Sequence, residues 1–220
     1  MTQNTALIAG ATGLVGSALL ELLLNSDAYS QVTVLTRRPL KRSHPKLKEV
    51  EINFDELENY TDQLRADVFF CCLGTTMKKA GSKEKFYKVD YEYPQELGKI
   101  AKTNGAGQFH LISAMGANAN SSIFYNRVKG EIEATLANMQ LPSLQIYRPA
   151  LLTGDRKEHR TGEKISITLF KVVDPLLVGG LKKYRSIPAA TVAKAMYKTS
   201  RGPFGGVKIL ESDQLHEIGE

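Results

Sequence analysis

The stretch TALIAGATGLVGSALLELLL, residues 5–24, decides the fold. Thr5 to Ala9 is a short apolar run, the pattern of a strand buried on both faces. Gly10, Gly13 and Gly16 follow as G-x-x-G-x-x-G and lead straight into an apolar helix. In a strand–turn–helix of this kind the first glycine permits the tight turn. The second lets a pyrophosphate approach the backbone, and the third lets the helix pack close to the strand. The helix start offers free N–H groups to that phosphate. A glycine triplet alone is only a turn. As the first element, set between strand and helix, it marks a dinucleotide site.

The next apolar run, VTVLTRRPL at residues 32–40, selects the cofactor. A site for NAD usually ends this strand on an acidic residue that binds the ribose 2′-hydroxyl. Here Thr36, Arg37 and Arg38 follow instead. The planar guanidinium fork binds phosphate well, so the pair favours NADP(H). The same arginines open the run RRPLKRSHPKLK, which holds six Lys or Arg and no acid. Most such runs are solvated. Both readings hold together if Arg37 and Arg38 meet the cofactor and the remainder is exposed.

A third feature supplies chemistry. Tyr125 and Lys129 stand four residues apart in SSIFYNRVKGEIEA, and Ser113 closes FHLIS upstream. Four residues is about one helical turn, so a phenol and an ammonium share a helix face. A cation beside a phenol favours the phenolate and makes the group a usable proton donor or acceptor. A Ser hydroxyl at the end of a nearby strand is placed to hold a carbonyl oxygen. Y-x-x-x-K by itself occurs in many helices by accident; the N-terminal dinucleotide signal gives it weight.

Composition agrees with one compact enzyme. The chain has 220 residues, 42% hydrophobic and 24% charged, with a net charge of +6. These values are ordinary for a globular domain. The moderate positive charge suits anionic ligands, and no basic helix with interleaved aromatics argues for nucleic acid. No apolar run reaches the roughly 18–20 residues of a membrane span. The first apolar segment lacks a basic leader and is broken by glycines, so it does not read as a signal peptide. The two cysteines, Cys71 and Cys72, are neighbours in an expected strand and point to opposite faces. They read as small buried residues in a reducing compartment, and a cytoplasmic protein is expected. No metal site is read from the sequence.

Strands are expected near 5–10, 31–36, 48–53, 67–73, 107–113, 143–148 and 206–210. Helices are expected near 14–25, 83–103, 122–139 and 188–200, with a shorter one near 57–65. Strands separated by helices mean a parallel sheet with right-handed crossovers. The expected fold is α/β: a doubly wound Rossmann sheet with helices on both faces, spanning 1–220 as one domain. A small substrate-side or lid portion is expected over 151–205, where TGDRKEHRTGEK is polar and turn-rich.

These residues resemble the atypical short-chain dehydrogenase/reductases, and specifically the small oxidoreductases of the HIV Tat-interacting protein group. The resemblance rests on GATGLVG, LTRRP, CCLGTT followed by KAG, KVDYEYP, LISAMGAN, YNRVKGEIEA and RPALLTGDR, and spans nearly the whole chain. It implies a Rossmann domain, NADP(H) binding and a Ser-Tyr-Lys centre on Ser113, Tyr125 and Lys129. The glycine-turn contacts fall on Gly10, Thr12, Gly13, Leu14, Val15 and Gly16. Asn53 and Phe54 would line the adenine. Cys72, Leu73, Gly74 and Thr75 would flank the cofactor, with Pro149 to Leu152 passing the nicotinamide. Tyr125 and Lys129 would touch it as well. Many relatives carry an Asn that anchors a proton-relay water; the nearest counterpart here is Asp90. About 70 residues follow the sixth strand, which disfavours a bulky nucleotide sugar. The expected substrate is a small carbonyl compound or alcohol, met by pocket residues Met77, Met115, Asn118, Phe124 and the segment around Phe170. Met115 and Phe124 read equally well as core. A monomer or homodimer is expected, with room for a protein partner.

Two other classes stand beside the enzyme. A regulator that senses NADP(H) while turning over little fits the fold, since fold and cofactor do not guarantee chemistry; an intact Ser113, Tyr125 and Lys129 set argues against it. A nucleic-acid binder driven by Arg37 to Lys48 would show steep salt dependence.

Overall fold

The computed structural model describes residues 3–154, 174, 177–202 and 205–220. Seven strands form one parallel sheet: β1 (Asn4–Ala9), β2 (Tyr29–Thr36), β3 (Leu47–Glu51), β4 (Val68–Cys71), β5 (Gln108–Ile112), β6 (Ser143–Arg148) and, last in the chain, β9 (Gly206–Glu211). Their spatial order is β3-β2-β1-β4-β5-β6-β9. The chain runs outward from β1 in one direction, then returns to β4 and runs outward in the other. The crevice at that reversal, beyond the carboxyl ends of β1 and β4, is where such sheets bind ligands. Two short strands, β7 (Leu152–Thr153) and β8 (Ile187–Pro188), pair in parallel beside the main sheet.

The alternation of side chains along β1 divides the core in two. Ala6 and Ile8 face α1 (Leu14–Leu24). On that side lie also Val192 and Met196 of a helix at Ala189–Ser200 and Leu215 of one at Ser212–Gly219. Leu7 and Ala9 face the opposite layer, built from a 3₁₀ helix at Phe54–Gln63 and two helices at Tyr93–Thr103 and Phe124–Asn138. In chain order the helices are α1, α2 (Met77–Ala80), α3 (Lys83–Tyr87), α4 (Tyr93–Thr103), α5 (Phe124–Asn138), α6 (Ala189–Ser200) and α7 (Ser212–Gly219).

The seven sheet strands fall where the sequence expects them. The helix expected over 83–103 is broken into α3 and α4 by a wide π-turn at Lys88–Glu92. Pro94 lies at the start of α4. It lacks an N–H for the carbonyl four residues back, and its ring crowds that carbonyl. A wide turn accommodates both demands. Within the stretch expected on the substrate side, α6 packs into the core beside α1. The polar stretch after Gly154 and the segment around Phe170 lie outside the described residues. Helix α7 is absent from the sequence expectation. Glu211 and Gln214 form a reciprocal capping box at its start, the type of signal that announces a helix.

Candidate active site

The glycine turn closes on β4 rather than merely reversing the chain. Gly10 has φ +87°, and a Cβ there would lie 2.5 Å from the Cys72 carbonyl oxygen. A Cβ on Gly16 would lie 2.2 Å from the Gly10 oxygen. Gly13 caps α1, and a Cβ on it would meet only the Gly10 oxygen at 3.3 Å. Thr12 and Gly13 are exposed at the mouth of the turn, while Leu14 is half-buried. Val15 is core, so its side chain faces α6 and only its main chain is offered to a phosphate.

A cavity of about 720 Å³ opens beside this turn. Gly10, Ala11 and Thr12 form one wall, Thr36 to Leu40 another, and Phe54 and Leu73 complete it. Arg37 and Arg38 are exposed on its rim, and neither has an ion-pair partner among the described residues. The Thr36 side chain fixes their loop: the Arg38 N–H donates to its oxygen at 3.2 Å, and its hydroxyl donates to the Arg38 carbonyl. Among the described residues no carboxylate lines the cavity. Phe54 supplies an aromatic ring to the wall and is backed by Tyr93, with centroids 5.4 Å apart and planes tilted by 39°. Asn53 takes a different part: it is exposed and caps the 3₁₀ helix by accepting from the Asp55 N–H at 3.1 Å.

The turn after β4 links this cavity to α5. Leu73 lines the cavity, and Cys72 packs toward the α1 side of the core. Gly74 stands beside Lys129: a Cβ on it would lie 3.9 Å from the ammonium nitrogen. Thr75 donates its N–H to Asp90 at 2.8 Å. Burial pushes the Cys71 thiol up to about 12 and the Cys72 thiol higher still, so neither is a reactive thiolate.

Tyr125 and Lys129 share one face of α5, as their spacing predicts. Tyr125 is half-buried, its ring 5.6 Å from Phe86. Lys129 is only 5% exposed and pairs with Asp90 at 2.8 Å. Burial pulls the Lys129 ammonium downward. The attraction of Asp90, with Tyr125 and Cys71 beside it, outweighs that pull and leaves the net shift upward. The helix reaches this place because Gly130 lets it touch the loop at Asn118, where a Cβ would lie 2.2 Å from the Asn118 carbonyl carbon.

Ser113 departs from expectation. Its hydroxyl donates to Glu133 on α5 and is buried. Glu133 in turn is held by Arg148 at 2.5 Å, and Arg148 reaches Glu211 at 3.2 Å. The serine's proton is therefore not free for a carbonyl oxygen. Asp90, Glu133, Arg148 and Gly130 are the site-forming residues that sequence reading missed or left undecided. Glu133 lies one turn beyond Lys129, a spacing that signals a shared face.

Pro149 is buried, and its carbonyl accepts from the Met115 N–H at 3.0 Å, which ties the turns after β5 and β6 together. Leu152 is half-buried against the α1 side of the core. Of the expected pocket residues, Met115 is half-buried, Asn118 exposed and Met77 39% exposed. Phe124 is flanked by Phe86, Lys83 and Arg127.

Residues 6–161 match the NAD dependent epimerase/dehydratase family. Protein HTATIP2 of Rattus norvegicus is 32% identical over 225 aligned positions, covering 100% of this chain and 91% of that protein. Protein FMP52, mitochondrial, of Candida albicans is 38% identical, covering 85% of this chain and 83% of that protein. The fold matches MoeE5 in complex with UDP-glucuronic acid and NAD at a TM-score of 0.71 and 17% identity, over 94% of this chain and 75% of MoeE5. It matches the oxidoreductase ylbE of Lactococcus lactis at 0.66 and 20% identity, over 97% and 96% of the two chains. The relatives correct one expectation: several fungal ones are named mitochondrial, which overturns the cytoplasmic location read from the cysteines. Unpaired cysteines report a reducing compartment and do not distinguish one from another. The glycine turn, the doubly wound sheet and these matches have one conclusion: the chain belongs to the NAD dependent epimerase/dehydratase family.

Proposed function

We propose that the protein is an NADP(H)-dependent oxidoreductase of the carbonyl reductase or alcohol dehydrogenase type, acting on a small molecule. One observation carries this reading. Half-buried Tyr125 and buried Lys129 share a face of α5 at the Gly74 turn, on the same sheet edge as the cavity bearing Arg37 and Arg38. The bound cofactor supplies the hydride. The chain supplies the rest. The free N–H groups of α1 would receive the pyrophosphate beside Gly13, and Arg37 and Arg38 the 2′-phosphate. Phe54 would line the adenine. Tyr125 gives its proton to the carbonyl oxygen. Lys129 keeps a positive charge beside that phenol and reaches the ribose hydroxyls. Ser113, whose proton is committed to Glu133, accepts a hydrogen bond from an alcohol rather than polarising a carbonyl.

The test is a screen of small carbonyl compounds with NADPH, repeated with Tyr125→Phe. That change removes only a hydroxyl. Turnover is expected to fall by about 10²–10⁴ while NADPH still binds. Full activity in the variant would end this reading. If no carbonyl compound were turned over, yet NADPH altered affinity for a protein partner, a sensor would replace the enzyme.

A further inference from the structure

Asp90 is 1% exposed, the most deeply buried charged side chain among the described residues, and the chemistry above makes no use of it. It sits in the wide turn between α3 and α4. One of its oxygens lies 2.8 Å from Lys129 Nζ, and the other accepts the Thr75 N–H at 2.8 Å. A Cβ on Gly74 would lie 3.6 Å from the first of these oxygens. A single carboxylate therefore joins the turn after β4 to the ammonium on α5. An amide in this place would fix geometry alone; a carboxylate also fixes charge.

We propose that Asp90 is the positioning residue for Lys129. It keeps the ammonium charged and aimed at the Gly74 turn in surroundings that otherwise disfavour a charge, and so sets the alkaline limit of the reaction. This rests on the roles given above to Tyr125 and Lys129. The titratable groups facing Lys129 are Asp90 from the wide turn, Tyr125 from α5 itself and Cys71 from β4. The Cys71 thiol, pushed up to about 12, stays neutral through the working range. Asp90 is thus the one anion facing Lys129 among the described residues.

With Asp90 in place, a proton lost from Lys129 would leave a buried carboxylate unpaired. With Asn in its place, burial drives Lys129 toward the neutral amine. Reduction needs a charged lysine beside the phenol. The alkaline limb of its pH profile therefore moves to lower pH.

The experiment compares wild type, Asp90→Asn and Asp90→Glu. The first readout is the Lys129 signal in protein labelled with ¹³C at lysine Cε, identified by its loss in Lys129→Arg. Its titration midpoint is expected to fall by about one pH unit or more in Asp90→Asn and to be largely restored in Asp90→Glu. The second readout is kcat/KM for NADPH-dependent reduction against pH, whose alkaline limb is expected to move with it. A purely structural Asp90 would lower activity at every pH alike. An unmoved lysine midpoint in folded Asp90→Asn overturns the proposal. So does a moved midpoint with an unmoved alkaline limb. If the lysine midpoint moves but wild type turns over no carbonyl compound, the pairing stands and the oxidoreductase reading falls. Should Asp90→Asn fail to fold, Asp90→Asn with Lys129→Met removes both charges and is expected to fold. If the double variant also failed, Asp90 would be structural and the proposal wrong.

Discussion

Ser113 gives its hydroxyl proton to Glu133, a carboxylate one turn beyond Lys129 on α5 and itself gripped by Arg148. The sequence expectation gave that proton to a substrate carbonyl. Helix geometry explains the difference. The face of α5 that carries Lys129 inward carries Glu133 inward as well, and a buried carboxylate recruits every donor within reach.

Glu133 holds strands β5 and β6 to α5, so its loss should be felt in stability. Among the described residues, Glu133→Ala leaves the Arg148 guanidinium with Glu211 alone. Breaking a buried pair typically costs about 3–5 kcal/mol, and since Arg148 is partly exposed the lower end is expected here. Urea unfolding at neutral pH measures it. A loss below about 1 kcal/mol, the usual worth of a surface pair, would show that the network contributes little.

Cofactor choice is expected to reside in Arg37 and Arg38. Calorimetry should show NADPH binding more tightly than NADH. Replacing both arginines with Ala should erase the preference while leaving NADH binding nearly unchanged. Equal affinity of the unchanged protein for the two cofactors would remove the basis for NADP(H).

The glycines of the first turn should separate into two behaviours. At Gly13 a new Cβ meets only one oxygen, at 3.3 Å. Gly13→Val is therefore expected to fold, with an unaltered circular dichroism spectrum, and to lose NADPH binding. Gly10→Ala drives a methyl to 2.5 Å from the Cys72 oxygen at φ +87°. It should lose stability whether or not cofactor is present. Normal NADPH affinity in a folded Gly13→Val protein would place the dinucleotide elsewhere.

His110 predicts an acid response. It is fully buried between Tyr147 and Gln108, hydrogen-bonded at 2.7 and 3.0 Å. Burial lowers its pKa from 6.5 to about 3. The unfolded chain thus takes up a proton that the folded one refuses. Stability should fall as pH drops from about 6.5 toward 3, by up to about 1.4 kcal/mol per pH unit. Urea midpoints between pH 7 and 4 should decline less steeply in His110→Gln. Identical slopes in the two proteins would assign the acid response to other groups.

Most of the sheet was legible because β1, β2, β4, β5 and β6 hold short, largely buried apolar runs, and the cavity because its glycines and arginines follow β1 and β2 in sequence. What stayed hidden depends on contacts across the chain. Asp90 lies 39 positions before Lys129, and no local pattern says that an acidic residue in KVDYEYP will turn inward. Arg148 reads as the end of a strand until α5 and α7 are packed around it. Glu133 was inside a quoted motif, but its spacing tells only which face it shares and not which hydroxyl it will capture.

The wide turn at Lys88–Glu92 has a consequence for how this chain tolerates insertions and deletions. Phe86, Asp90 and Pro94 are all buried, at successive intervals of four. In a regular α-helix each interval of four overshoots one turn by about 40°, and the row would wind away from the core. The turn absorbs that drift. Deleting one residue within the turn would put Phe86 seven places before Pro94, about 700° or nearly two full turns of regular helix, so the flanks would stay almost in phase. What such a deletion displaces is the turn itself, and with it the buried carboxylate of Asp90. A deletion elsewhere in α3 or α4 would instead rotate one flank by about 100°, and Phe86 would leave Tyr125 or Leu97 and Ile100 would leave the sheet. The turn thus holds one residue more than the core's spacing needs, at the place where the chain presents its carboxylate to the lysine.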